Sequence, residues 1–193
     1  MVTQPWYSRT ARLAGGLALV VAVAFAAVPW SPAQAAAAHA PFGDKVSAAI
    51  PNYNRALPEV GTSGAYHADA VPEVKALGFV AVVELRADSE AGVKANAEAL
   101  KAAGIRYFHI PVTTKAPTEA QVAEFAGIVN DPANQPVLVN CHSANRVGAM
   151  WALYRASQGV PAEFAVQEGR TAGLEPSREG AVRARLGLPP LTD

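Results

Sequence analysis

Apolar positions fall into two patterns along this chain. The first is the unbroken run. Phe79-Val-Ala-Val-Val-Glu-Leu85 is rich in β-branched residues and reads as a buried strand, as do Ile105–Val112 and Pro136–Asn140. The second is a helical stripe. Val93, Ala97 and Leu100 share one face of a helix that Gly104 ends. Val122, Phe125, Ala126 and Val129 share another; Thr118 and Gln121, just upstream, have capping-box spacing. Val147, Met150, Trp151 and Tyr154 stand at i, i+3, i+4 and i+7 of a third. Shorter helices are predicted from Asp44 to Ile50, where Pro51 ends the turn, from Pro161 to Ala172 and from Ser177 to Leu186. Asp69 is expected to cap a helix reaching Leu77 and closed by Gly78, and Tyr53–Tyr66 reads as loop with one short strand. Strands that are apolar throughout, alternating with helices, predict an α/β fold: a mainly parallel central sheet flanked by helices.

The first segment stands apart. Arg9 and Arg12 precede the apolar run Leu13–Val28, and Ala33-Gln-Ala35 follows it. That order reads as a secretory signal peptide over residues 1–35. The run is short against the ~20 residues of a membrane span. The domain plan is therefore a signal over 1–35, a lead-in over 36–50 and one catalytic-type domain over 51–190. The expected location is the periplasm or the exterior, with the membrane touched only through the signal.

Composition narrows the possible functions. At 51% hydrophobic and 17% charged the chain can build a packed core, which excludes wholesale disorder. Sixteen basic and sixteen acidic residues cancel, so there is no electrostatic footprint for nucleic acid. His39, His67, His109 and His142 are scattered without ligand spacing, so neither a metal nor any other cofactor is expected. The single cysteine forms no internal bridge and, in an oxidising compartment, must be buried or used.

That cysteine is Cys141. It follows the strand Pro136–Asn140, at the carboxyl end where ligands bind in open parallel sheets. The loop Cys141-His-Ser-Ala-Asn-Arg146 then leads into a helix. Backbone N–H groups, a helix N-terminus and a guanidinium around one sulfur favour the thiolate and can hold an oxyanion. Cys141 is the expected nucleophile. Arg146 is suited to grip two oxygens of a phosphate-like group. His142, Ser143, Ala144 and Asn145 are the expected substrate-binding residues, through their amides, with the His142 side chain outward at the entrance. The bland alternative is a small apolar cysteine at a strand end beside a surface arginine.

Val139-Asn-Cys-His-Ser-Ala-Asn-Arg-Val-Gly-Ala149 resembles the loop of the phosphatase-like proteins related to the beta-lactamase-hydrolase-associated domain, within the protein-tyrosine-phosphatase-like fold. The resemblance includes Ala102–Val112, Val83–Glu90 and Thr62–Gly64, and covers roughly residues 50 to 175. It implies that Cys141 is the nucleophile and Arg146 the anion-binding arginine. Three departures stand beside it. Phosphatases of this fold usually place five residues between Cys and Arg, and here there are four, the loop length of rhodanese-like sulfurtransferases. Ala144 stands where a glycine is expected, at a place that calls for positive φ or close approach to the ligand. The loop Thr113-Thr-Lys-Ala-Pro117, where the general-acid Asp belongs, holds no carboxylate. Asp88 is then the expected acid, with Glu90 as the alternative on the same loop. Both could equally be solvated or paired to Arg86.

The leading expectation is an exported cysteine-dependent phosphatase that works through a phosphocysteine. The alternatives are a sulfurtransferase carrying a persulfide on Cys141 and a non-catalytic anion-binding module. The partner is a phosphorylated or sulfur-donor small molecule or protein.

Overall fold

A computed structural model describes residues 44–191; the predicted signal segment lies outside the described residues. The centre is a five-stranded sheet: β1 (Asn54–Leu57), β2 (Val60–Ser63), β3 (Ala81–Glu84), β4 (Arg106–His109) and β5 (Val137–Asn140), in the order β1-β2-β5-β3-β4. Only the β1–β2 pair is antiparallel. Among the described residues six α-helices accompany it: α1 (Val71–Ala76), α2 (Val93–Ala102), α3 (Glu119–Val129), α4 (Asn145–Ser157), α5 (Ala162–Thr171) and α6 (Pro176–Arg185). The predicted mainly parallel sheet flanked by helices is thus the architecture found.

Strand alternation explains why the runs are apolar throughout. Val82 of β3 and Leu138 of β5 point to one face and pack with Val71, Val74 and Leu100 of α1 and α2. Ala81, Val83, Val137 and Val139 point to the other and meet Val122, Phe125, Met150, Trp151, Val166 and Val182 of α3 to α6. Both faces are covered, so both sets of side chains must be apolar. Against this face α4 and α5 pack backbone to backbone. A Cβ on Gly148 would stand 2.1 Å from the Leu174 nitrogen and 2.5 Å from the Gly169 carbonyl oxygen, so only glycine fits.

Local expectations divide. The Thr118–Gln121 capping box is present in full. Tyr53–Tyr66 contains two strands rather than one, because Val60-Gly-Thr-Ser63 is buried between β1 and β5 despite its polar look. Asp69 does not cap a helix: the chain enters α1 through a 3-10 turn over Ala68–Ala70, and Ala70 is the N-cap with no side-chain bond. Asp44–Ile50 forms turns instead of a helix, because its polar groups serve other segments. Asp44 accepts from Tyr53 Oη at 2.5 Å and pairs with Arg55, and Ser47 donates to Glu73.

In register, Ser63 of β2 and Glu84 of β3 flank Asn140 of β5 at one level, and His109 of β4 lies beside Glu84. The chain leaves β2, β5 and β3 side by side, and the site is built from those three exits.

Candidate active site

Asn140 ends β5 and Cys141 follows at once. The Cys141 N–H donates weakly to the Ser63 carbonyl at 3.4 Å, and the Ala65 N–H donates to the His142 carbonyl at 2.9 Å, so the loop is stitched to the β2 exit. Ala144 then turns the chain into α4 with φ 69°. This is the left-handed conformation expected of a glycine there, and alanine in it costs about 1–2 kcal/mol. Packing holds the strain in place: Ala144 is buried, and a Cβ on Gly173 would come within 2.6 Å of its own. Through the loop and into the first turn of α4, no N–H from residue 142 to residue 147 donates to a protein acceptor among the described residues. Such a run of unpaired amides at a helix start is a binding surface for anions.

Cys141 is 1% exposed and packs in the core cluster with Ala144 and Val147. Arg146, the first-turn arginine of α4, is half-buried. Both of its terminal nitrogens donate to the two Glu90 oxygens at 2.6 Å. Those bonds, with Cys141 close enough to help, hold the guanidinium charged more firmly than usual. Glu90 shows the reciprocal effect. Arg146 first, then the Ala87 N–H, outweigh partial burial and bring its pKa from 4.5 down to about 2.

This coupling sets a sign for acid stability. A carboxyl whose folded pKa is lowered stabilises the fold above its unfolded value and loses that contribution as pH falls through the folded one. The stability difference between wild type and Glu90→Gln should therefore shrink as pH drops from about 4.5 toward about 2. Urea midpoints at several pH values measure it. A difference that stays constant over that range means the pair contributes nothing.

Of the two candidate acids, Glu90 reaches the arginine and Asp88 does not. Asp88 is 78% exposed, 3.5 Å from His109 Nδ1, and outside the cavity lining. The other His109 nitrogen, Nε2, donates to the Arg86 carbonyl at 2.7 Å, so His109 is a structural residue. Arg86 pairs with neither loop carboxylate; its partner is Glu84.

Glu84 was not singled out by the sequence. It is 1% exposed at the end of β3 and accepts four bonds: from the Arg86 N–H and Nε at 2.9 Å, from Arg86 Nη2 at 2.7 Å, and from Asn140 Nδ2 at 2.9 Å. One buried carboxylate thus ties the β3 exit to the residue preceding the cysteine.

The substrate-binding candidates separate by side. His142 is exposed and lines a cavity of about 550 Å³ with Ala65, Tyr66, His67, Arg86, Glu90, Ala91 and Arg146. Ser143 faces away, its carbonyl accepting from Asn52 Nδ2. Asn145 is spent on structure. Its Nδ2 donates to Glu175 and Ser177, and its Oδ1 accepts from the Glu175 N–H, which fastens the loop to the start of α6. A cavity of similar size at the far end of α4, lined by Val122, Leu153, Arg185 and Leu186, is remote from the cysteine.

Among the described residues no group of three or more His, Cys, Asp or Glu side chains is placed to hold a metal ion. No described helix is long and apolar enough to cross a membrane.

Comparison with known proteins gives a family and a fold. Residues 64–181 match the family model described as "DSP-PTPase phosphatase fused to NAD+ Kinase", more than half of the chain. No curated protein sequence matches. Among solved structures, Tk-PTP in its active form is 23% identical, with 70% of this chain and 96% of that one covered at a TM-score of 0.60. The catalytic core of the PP-IP phosphatase SIW14 from S. cerevisiae, in complex with citrate, is 19% identical, with 69% and 85% covered at 0.58. TpbA of P. aeruginosa, a Cys-to-Ser variant in complex with pTyr, is 22% identical, with 75% and 94% covered at 0.53. Identities this low speak for a shared fold.

Proposed function

The chain belongs to the DSP-PTPase phosphatase family described as fused to NAD+ kinase, and from that premise we propose that it is an exported phosphatase whose nucleophile is Cys141. The observation that carries the reading is the conjunction at one loop: a cysteine at a strand end, the unpaired amides of residues 142–147, and Arg146 held charged beside it. Export rests on the signal-like pattern of residues 1–35.

On this reading the Cys141 thiolate attacks phosphorus. The bond from phosphorus to the leaving oxygen breaks as the sulfur–phosphorus bond forms. Loop amides and Arg146 hold the non-bridging oxygens while charge builds on them. Glu90 is ionised over the working range, so it orients Arg146 and donates no proton. Asp88 lies outside the cavity, so the leaving oxygen takes its proton from solvent, and weakly basic leaving groups depart fastest. Water then attacks phosphorus, the sulfur–phosphorus bond breaks, and orthophosphate leaves with the thiolate restored. Burial of Cys141 shields the resting thiol from oxidation in an exported setting.

The short loop keeps one competing chemistry in view, persulfide transfer on the same sulfur. The purified protein should release orthophosphate from an aryl phosphate and stay unmodified after incubation with thiosulfate. Sulfur retained on Cys141 together with no phosphate release would replace the phosphatase reading with the sulfurtransferase one.

A further inference from the structure

Arg178 was no part of the sequence-derived site, and the fold brings it there. It lies in the first turn of α6, one residue beyond Ser177, which Asn145 of the cysteine loop holds. Its Nη1 donates to the carbonyl oxygens of Thr114 at 2.5 Å and Lys115 at 3.1 Å. Those residues belong to the loop after β4 that lacks a carboxylate. Arg178 therefore ties the start of α6, which Asn145 fastens to the cysteine loop, to the loop after β4.

Its charge is poorly compensated. Most arginines among the described residues sit against a carboxylate; Arg178, half-buried, has only carbonyl partners. Burial, and then the like charge of Arg146, push its pKa below the usual arginine value, while Cys141 and Glu90 pull the other way. A partly desolvated cation near a second cation gains from an anion that both can hold. Nη1 is used, but Nε and Nη2 make no hydrogen bond among the described residues. Those two donors form the edge that grips two phosphate oxygens side by side.

We propose that Arg178 is a second phosphate-binding residue of this active site, and that the substrate is a small molecule carrying a second phosphate next to the one transferred. The proposal rests on Cys141 and Arg146 holding the reacting phosphate. Arg146 serves the group that changes; Arg178 serves a group that does not. It is a specificity residue, and a substrate with one phosphate leaves it unused.

Calorimetry with orthophosphate and pyrophosphate as probes tests this without turnover. Wild type should bind pyrophosphate about 10- to 100-fold more tightly than orthophosphate, the range of an added charge-assisted contact. Arg178→Gln should remove that preference and leave the orthophosphate Kd within about threefold. Arg178→Lys, which keeps the charge and loses the fork, should retain part of it. A merely structural role, through the Thr114 and Lys115 carbonyls, would weaken both anions alike. That result overturns the proposal, as does a wild type that binds the two anions equally. If neither anion binds to wild type, the reading of the Cys141 loop itself fails with it.

Discussion

Cys141→Ser leaves a folded protein that turns over an aryl phosphate roughly 10⁴- to 10⁶-fold more slowly than wild type. The magnitude follows from what one atom does. A serine hydroxyl in this loop has no adjacent base, so it stays protonated where a thiol can ionise. The remaining apparatus is intact: Arg146 keeps its two bonds to Glu90, and the amides of residues 142–147 stay where they are. Substrate binding should therefore survive with a Kd within a few-fold of wild type while kcat collapses. The change at Cys141 is nearly isosteric, so the loss of turnover does not come from unfolding. Residual activity within tenfold of wild type would remove Cys141 from the mechanism.

Glu84→Ala destabilises the protein by about 3–5 kcal/mol, the cost of stranding a buried charge. Arg86 is 3% exposed, and three of its donors end on Glu84. Burial alone would push Arg86 down; the Glu84 bonds and charge outweigh that and leave it raised. Without the carboxylate, Arg86 keeps only the Ala91 carbonyl at 2.8 Å, and Asn140 loses its acceptor. Thermal unfolding should fall by roughly 10 °C for a domain of this size. Glu84→Gln keeps the shape and one acceptor oxygen, and should fall in between. A loss under about 1 kcal/mol for the alanine variant contradicts the assignment of Glu84 as the buried tie between β3 and the cysteine loop.

The contrast between these two residues shows what the sequence carries. The placement of Cys141 at a strand end and of Arg146 in the first turn of the next helix was legible, because a loop between a strand and a helix has a fixed local geometry. The positive φ at Ala144 was legible for the same reason. The continuous apolar runs announced a sheet covered on both faces, and the capping box fixed the start of α3. Glu84 was hidden because a carboxylate inside an apolar strand run has no periodic signature; its meaning lies in Asn140, brought level by strand register. The choice between Asp88 and Glu90 was hidden because periodicity does not orient side chains on an irregular loop. Here the Ala87 N–H and Arg146 capture Glu90 and leave Asp88 outside. Arg178 reaches the site from a helix thirty-odd positions downstream, through contacts with a third segment that no local pattern links to it. One of the two strands within Tyr53–Tyr66 escaped notice because Gly61, Thr62 and Ser63 are buried by position and not by hydrophobicity.

The most direct test of Cys141 chemistry is rapid denaturation of the protein during turnover of an aryl phosphate, followed by mass spectrometry of its peptides. A phosphoryl group on the peptide containing Cys141, absent from the Cys141→Ser variant, is the predicted result. A phosphoryl group on any other residue, or phosphate release with no labelled peptide in either protein, contradicts it.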